Sequence, residues 1–91
     1  MANFVMLMNE SDDSGDWDAY IEKLLATGKF RGGSSLGQGV CVQRGQADTQ
    51  CQVTGMIRLE ADSLDEVKAL LEGNPAFEAG YSVQLLEEIE D

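Results

Sequence analysis

The sequence predicts an α+β domain: an antiparallel sheet with two helices packed on one face. Three observations lead there. Two segments carry apolar residues at helical spacing, others carry strand patterns, and they follow one another as strand, helix, two or more strands, helix, strand. The chain has 91 residues, 43% of them hydrophobic and 25% charged, which suits one globular domain over residues 1–91.

The first element is the run Asn3 to Met8, nearly continuous in apolar residues and so expected to be a strand buried on both faces. The polar stretch Asn9 to Asp16 is a loop. After it, Trp17, Tyr20, Ile21, Leu24 and Leu25 recur at i, i+3, i+4, i+7 and i+8, one apolar face of a helix capped near Ser14 or Asp16 and stopped by Gly28. Gly32, Gly33, Gly37 and Gly39 then punctuate a bend before a strand at Val40-Cys41-Val42, and Arg44 to Thr49 reads as a hairpin loop. From Cys51 the pattern alternates, with Cys51, Val53, Gly55, Ile57 and Leu59 on one face and Gln52, Thr54, Met56, Arg58 and Glu60 on the other. Ser63-Leu64-Asp65-Glu66 is a capping box opening a second helix whose inner face holds Leu64, Val67, Leu70 and Leu71, and Gly73-Asn74-Pro75 ends it. A last strand spans about Tyr81 to Leu86. Right-handed crossovers put both helices on one side of the sheet, the ferredoxin-like arrangement. The opposite face then needs a cover, and a second copy of the chain is the simplest one.

Charge narrows the function. Acidic residues outnumber basic ones 17 to 6, for a net charge of −11. Such a surface does not suit nucleic-acid backbones or anionic membranes, both of which call for basic side chains. The N-terminal apolar run lacks a basic leader and is far shorter than a membrane span, so a cytoplasmic location is expected, and the Asn9-Glu10-Ser11 sequon is a chance match. There is no histidine, which removes the usual general base, the familiar nucleophilic triad and the commonest zinc ligand. No cofactor and no metal are expected. The acidic loop Glu10 to Asp16 fails as a calcium site: with Gly15 at the sixth position, Ile21 stands at the twelfth, where a bidentate Glu is needed. The glycine-rich Gly32 to Gly39 satisfies neither the P-loop nor the dinucleotide pattern. Cys41 and Cys51 face each other if the hairpin is symmetric about Gln46; they are either a bridge or, as the reading we favour, two small buried hydrophobes.

With the elements in place, the chain resembles the YCII-related family, in particular its DGPF-type branch. The resemblance rests on Gly55-Met56-Ile57-Arg58-Leu59-Glu60-Ala61-Asp62-Ser63-Leu64-Asp65-Glu66-Val67, and on Asn74-Pro75 followed by Ala79-Gly80-Tyr81-Ser82-Val83. Trp17, Tyr20-Ile21, Gly28-Lys29 and Gly32-Gly33 with Leu36 match in order and spacing, so nearly the whole chain is covered. The resemblance implies a ferredoxin-like fold paired into a dimeric α+β barrel. It also implies that positions Trp17 and Asn74 stand where a His and an Asp have been proposed to act in some members. Neither residue here can serve as an acid or base. The DGPF motif itself is missing, since Gln46 to Thr54 contains no Pro and no Phe.

Two functions follow. The first is a non-catalytic dimeric module that binds a small ligand or a protein, with Trp17, Tyr20, Ser34, Ser35 and Asn74 as the cleft candidates. The alternative is a small hydrolase- or isomerase-like enzyme that uses a carboxylate or tyrosine, such as Tyr20, Tyr81 or Glu60, in place of the His–Asp pair.

Overall fold

The computed structural model describes residues 2–9 and 15–89. In chain order the elements are β1 (Ala2–Asn9), α1 (Trp17–Ala26), β2 (Phe30–Ser35), β3 (Val40–Cys41), β4 (Thr49–Gln50), β5 (Val53–Ala61), α2 (Leu64–Ala69), α3 (Pro75–Glu78) and β6 (Val83–Glu88). Four of the strands form one antiparallel sheet in the order β2-β5-β1-β6. Each long helix therefore joins two strands that have a third between them, which is the ferredoxin-like topology expected from the sequence.

Alternation along the strands divides the sheet into two faces. Phe4, Met6 and Met8 of β1 and Ile57, Leu59 and Ala61 of β5 are buried, and they pack with Tyr20 and Leu24 of α1, Val67 of α2, Leu71 after it and Ala76 of α3. The other face carries Val5 and Leu7 of β1, Met56 and Arg58 of β5, and Gln84 and Leu86 of β6. β1 is thus buried on one face and half-buried on the other, rather than enclosed on both sides as its composition suggested.

The helix ends follow local chemistry. Asp16 caps α1, its Oδ1 accepting from the Ala19 N–H at 2.9 Å, and Gly28 just past the last turn takes a φ of +74° that a Cβ would disfavour. Ser63 caps α2 by accepting from the Glu66 N–H at 3.2 Å. Only half of the expected capping box forms, because the Glu66 carboxylate pairs with Lys29 instead and so ties the start of β2 to α2. That contact raises the Lys29 pKa. Leu25 and Leu64, expected on inner faces, are instead exposed at 57% and 47%.

Three further departures have clear causes. β2 runs through Gly32-Gly33, where the absence of alternating apolar residues hid a strand; a bulge between Phe30 and Gly32 sets its register. Gly33 tolerates no side chain, since a Cβ there would lie 2.6 Å from the Met56 carbonyl oxygen. α2 stops at Ala69, with Leu70 as its C-cap, short of the Gly73-Asn74-Pro75 stop expected from the sequence; Asn74-Pro75 instead starts α3, with Asn74 as its cap and Pro75 in its first turn. The β3–β4 hairpin pairs Cys41 with Thr49 and Val40 with Gln50, two residues out of the symmetric register, so Cys41 and Cys51 do not face each other. Both thiols are free. Cys41 is exposed and Cys51 half-buried, which corrects their placement as buried hydrophobes.

Candidate functional site

A cleft of about 610 Å³ lies between the N-terminal half of α1 and the β2 edge of the sheet. Its origin is a shortage of side-chain volume. Across the helix-facing side of the sheet, one row reads Met8, Gly55, Ser35 and the next Met6, Ile57, Gly33. The two glycines and a serine leave space under α1 that Trp17 and Ile21 roof without filling. Phe30, Met8 and Ile57 supply the apolar walls, and Leu36 closes the end where β2 leaves the sheet. A Cβ on Gly55 would come within 3.2 Å of the Met8 methyl, so a larger residue there would narrow the space.

The polar groups of the cleft are hydroxyls and main chain. Ser35 lies on the helix-facing side, opposite Gly55. Alternation turns the Ser34 side chain to the other face, so Ser34 borders the cleft along its backbone. Thr54 also lines it, with its hydroxyl 3.5 Å from the Met8 carbonyl oxygen. As an edge strand, β2 leaves one side of its main chain without a strand partner. Among the described residues, no carboxylate, amine, guanidinium or phenol lines this cleft.

Of the five residues expected to form a site, the structure brings three together here: Trp17, Ser34 and Ser35. Trp17 is half-buried and meets Tyr20 edge to face, with ring centroids 6.1 Å apart. Tyr20 and Asn74 lie in the core instead, and Tyr20 also borders a second hollow on the other side of α1. The Tyr20 hydroxyl donates to the Leu70 carbonyl at 2.7 Å and contacts the Met6 sulfur at 3.6 Å. Burial raises its pKa, and the neighbouring Asn74 amide partly offsets this. Asn74 is fully buried, and its Oδ1 accepts from the Ala76 and Phe77 N–H groups at 3.0 and 3.1 Å. Its Nδ2 has no partner in hydrogen-bonding geometry among the described residues. Met8, Phe30, Gly33 and Gly55 escaped the sequence reading, although glycines at inward-facing strand positions were the available signal.

This second hollow, of about 490 Å³, lies between Asp16, Lys23 and Glu78. Its charged groups are already engaged: Lys23 Nζ donates to the Glu72 carbonyl at 2.7 Å, and Glu78 Oε1 accepts from the Gly73 N–H at 2.9 Å. Of the other candidate acid–base groups, Glu60 pairs with Arg31 at 3.0 Å. Among the described residues, no cluster of three or more Cys, Asp or Glu could hold a metal ion. Of the calcium loop weighed above, Glu10 to Ser14 lie outside the described residues.

No family model matches this chain, and no curated protein does. Among solved structures it is similar to 5-chloro-2-hydroxyhydroquinone dehydrochlorinase (TftG) from Burkholderia phenoliruptrix AC1100, in complex with 2,5-dihydroxybenzoquinone. The match has a TM-score of 0.57 at 22% sequence identity and covers 98% of this chain and 95% of that one. A likeness at that identity establishes the fold, an α+β domain built on an antiparallel sheet, over nearly the full length of both chains. Among the described residues, no helix is long and apolar enough to cross a membrane.

Proposed function

We propose that this chain is a non-catalytic, homodimeric α+β module of the YCII-related type that binds a small, flat, uncharged ligand between α1 and β2. One observation carries the reading: the cleft combines aromatic and aliphatic walls with hydroxyl and main-chain groups, and no titratable side chain lines it among the described residues. Apolar walls with a few placed polar groups suit an aromatic or quinoid ring. A net charge of −11 disfavours anions. The ring in the structural neighbour's complex is likewise quinoid. Dimerisation is supported by the open sheet face, where Val5, Leu7 and Met56 are half-buried and Leu86 is 52% exposed in the single chain. A cytoplasmic address remains part of the proposal.

The enzymatic alternative draws on the neighbour's dehydrochlorinase activity. Here Tyr20, Tyr81 and Glu60 all lie outside the cleft lining, so binding without acid–base chemistry is the better-supported reading. A thermal-shift series tests it, with hydroquinone as the neutral probe and benzoate as the charged control. Hydroquinone at ten times its Kd adds about 1.4 kcal/mol, raising Tm by roughly 5–10 °C. Benzoate leaves Tm unchanged. Equal shifts with both, or none with a broad set of neutral rings, would contradict the proposal.

A further inference from the structure

The β3–β4 hairpin has no role in the cleft or in the core. Every residue from Gly33 to Gln50 is exposed, including Val40 at 61% and Val42 at 73%. The arm continues from the β2–β5 ladder through the Leu36 N–H to Thr54 carbonyl bond and the Cys51 N–H to Gly39 carbonyl bond, both 2.9 Å. An isolated two-stranded hairpin is marginally stable in water, and a pair of exposed valines adds cost without packing. Val40 pairs with Gln50 and Cys41, turned the other way, with Thr49; Val42 follows β3 by one residue, where the same alternation returns to the Val40 face.

We propose that this arm is an intermolecular element that lies against the body of a second copy of this chain, with Val40 and Val42 facing that copy. Charge selects the occupant. Arg44 and Asp48 are the only charged residues between Leu36 and Gln52 and cancel each other, so the whole net charge of −11 sits on the rest of the chain. Two like-charged bodies repel, and an arm without net charge can cross between them without setting acid against acid. Arg44 near its tip forms no ion pair among the described residues, and it meets an acidic surface on any copy of this chain.

Size gives the second argument. A stable interface takes roughly 20–30 residues a side, whereas the open sheet face presents about a dozen, several of them charged. The arm supplies the missing contact. This inference rests on the homodimer proposed above and adds the element that completes it.

The test compares dimer dissociation constants, by sedimentation equilibrium, for the full chain, for Val40→Ser with Val42→Ser, and for Leu86→Glu on the open sheet face. All three positions are exposed, and urea unfolding of the variants checks that the fold is intact. Loss of two buried valines raises the dimer Kd roughly tenfold or more. A smaller rise in the valine variant, with a clear rise in Leu86→Glu, leaves the sheet-face dimer standing and overturns the arm. A parent chain that stays monomeric at high micromolar concentration overturns the dimer itself, and the arm with it.

Discussion

Trp17→Ala removes the side chain that roofs the cleft and packs on the core beneath it. The indole is half-buried and stands edge to face with Tyr20. Truncating a fully buried aromatic to alanine costs about 3–5 kcal/mol; part of this ring stays in water, which brings the expected loss to about 2–4 kcal/mol. Of that, the contact with Tyr20 accounts for about 0.5–1.5 kcal/mol. Urea unfolding followed by far-UV circular dichroism reads the change as a lower midpoint with an unchanged slope. In a domain of this size each kcal/mol lowers Tm by roughly 4–8 °C. Trp17→Phe keeps an aromatic ring at the same place and recovers most of the loss. A Trp17→Ala protein within about 0.5 kcal/mol of the parent, the range of an ordinary surface substitution, would refute the packing argument. The cleft would then lack the wall that gives it its aromatic character.

Three other outcomes follow from the geometry. Gly33→Ala sets a Cβ 2.6 Å from the Met56 carbonyl oxygen, a backbone atom that cannot step aside, and costs about 1–3 kcal/mol by thermal unfolding. Asn74→Ala leaves the Ala76 and Phe77 N–H groups without their acceptor. The lost cap costs about 0.5–2 kcal/mol, with ligand binding unchanged because Asn74 does not line the cleft; loss of binding at full stability would show otherwise. Burial raises the Tyr20 pKa above 10.0, so the folded state holds its proton after the unfolded state has released it. Stability from this group is complete below pH 10 and is lost as pH rises through the folded value. Urea unfolding from pH 8 to 11 shows a decline that is shallower in Tyr20→Phe, and equal slopes in the two proteins would count against it.

The parts of the fold legible in the sequence are those where burial imposes a period. Trp17, Tyr20 and Leu24 mark α1, and Ile57 and Leu59 mark β5, because each buries one face against the same core. β2 was hidden because Gly33 and Ser35 occupy its inward positions, so no apolar alternation signals it. α3 was hidden because Asn74-Pro75 reads as a helix stop, whereas α2 has already ended at Ala69 and the pair opens the next turn instead. The site follows the same logic. Trp17 stood out as the only tryptophan, and Ser34-Ser35 as polar residues in a glycine-rich stretch. Tyr20 and Asn74 share the helix face or family position that suggested a site, but periodicity cannot tell a core wall from a cleft wall. The cleft itself arises from volume missing at Gly33 and Gly55, which appears only once the strands are in register.

The central claim is that a neutral ring enters the space between α1 and β2. Its most direct test is a nuclear magnetic resonance titration of the isotopically labelled chain with hydroquinone. The account predicts saturable shifts at the Trp17 indole and at the Gly33, Ser35 and Gly55 amides, with the amides around Lys23 and Glu78 unmoved. Shifts centred on that second hollow, or spread evenly over the surface, would contradict it.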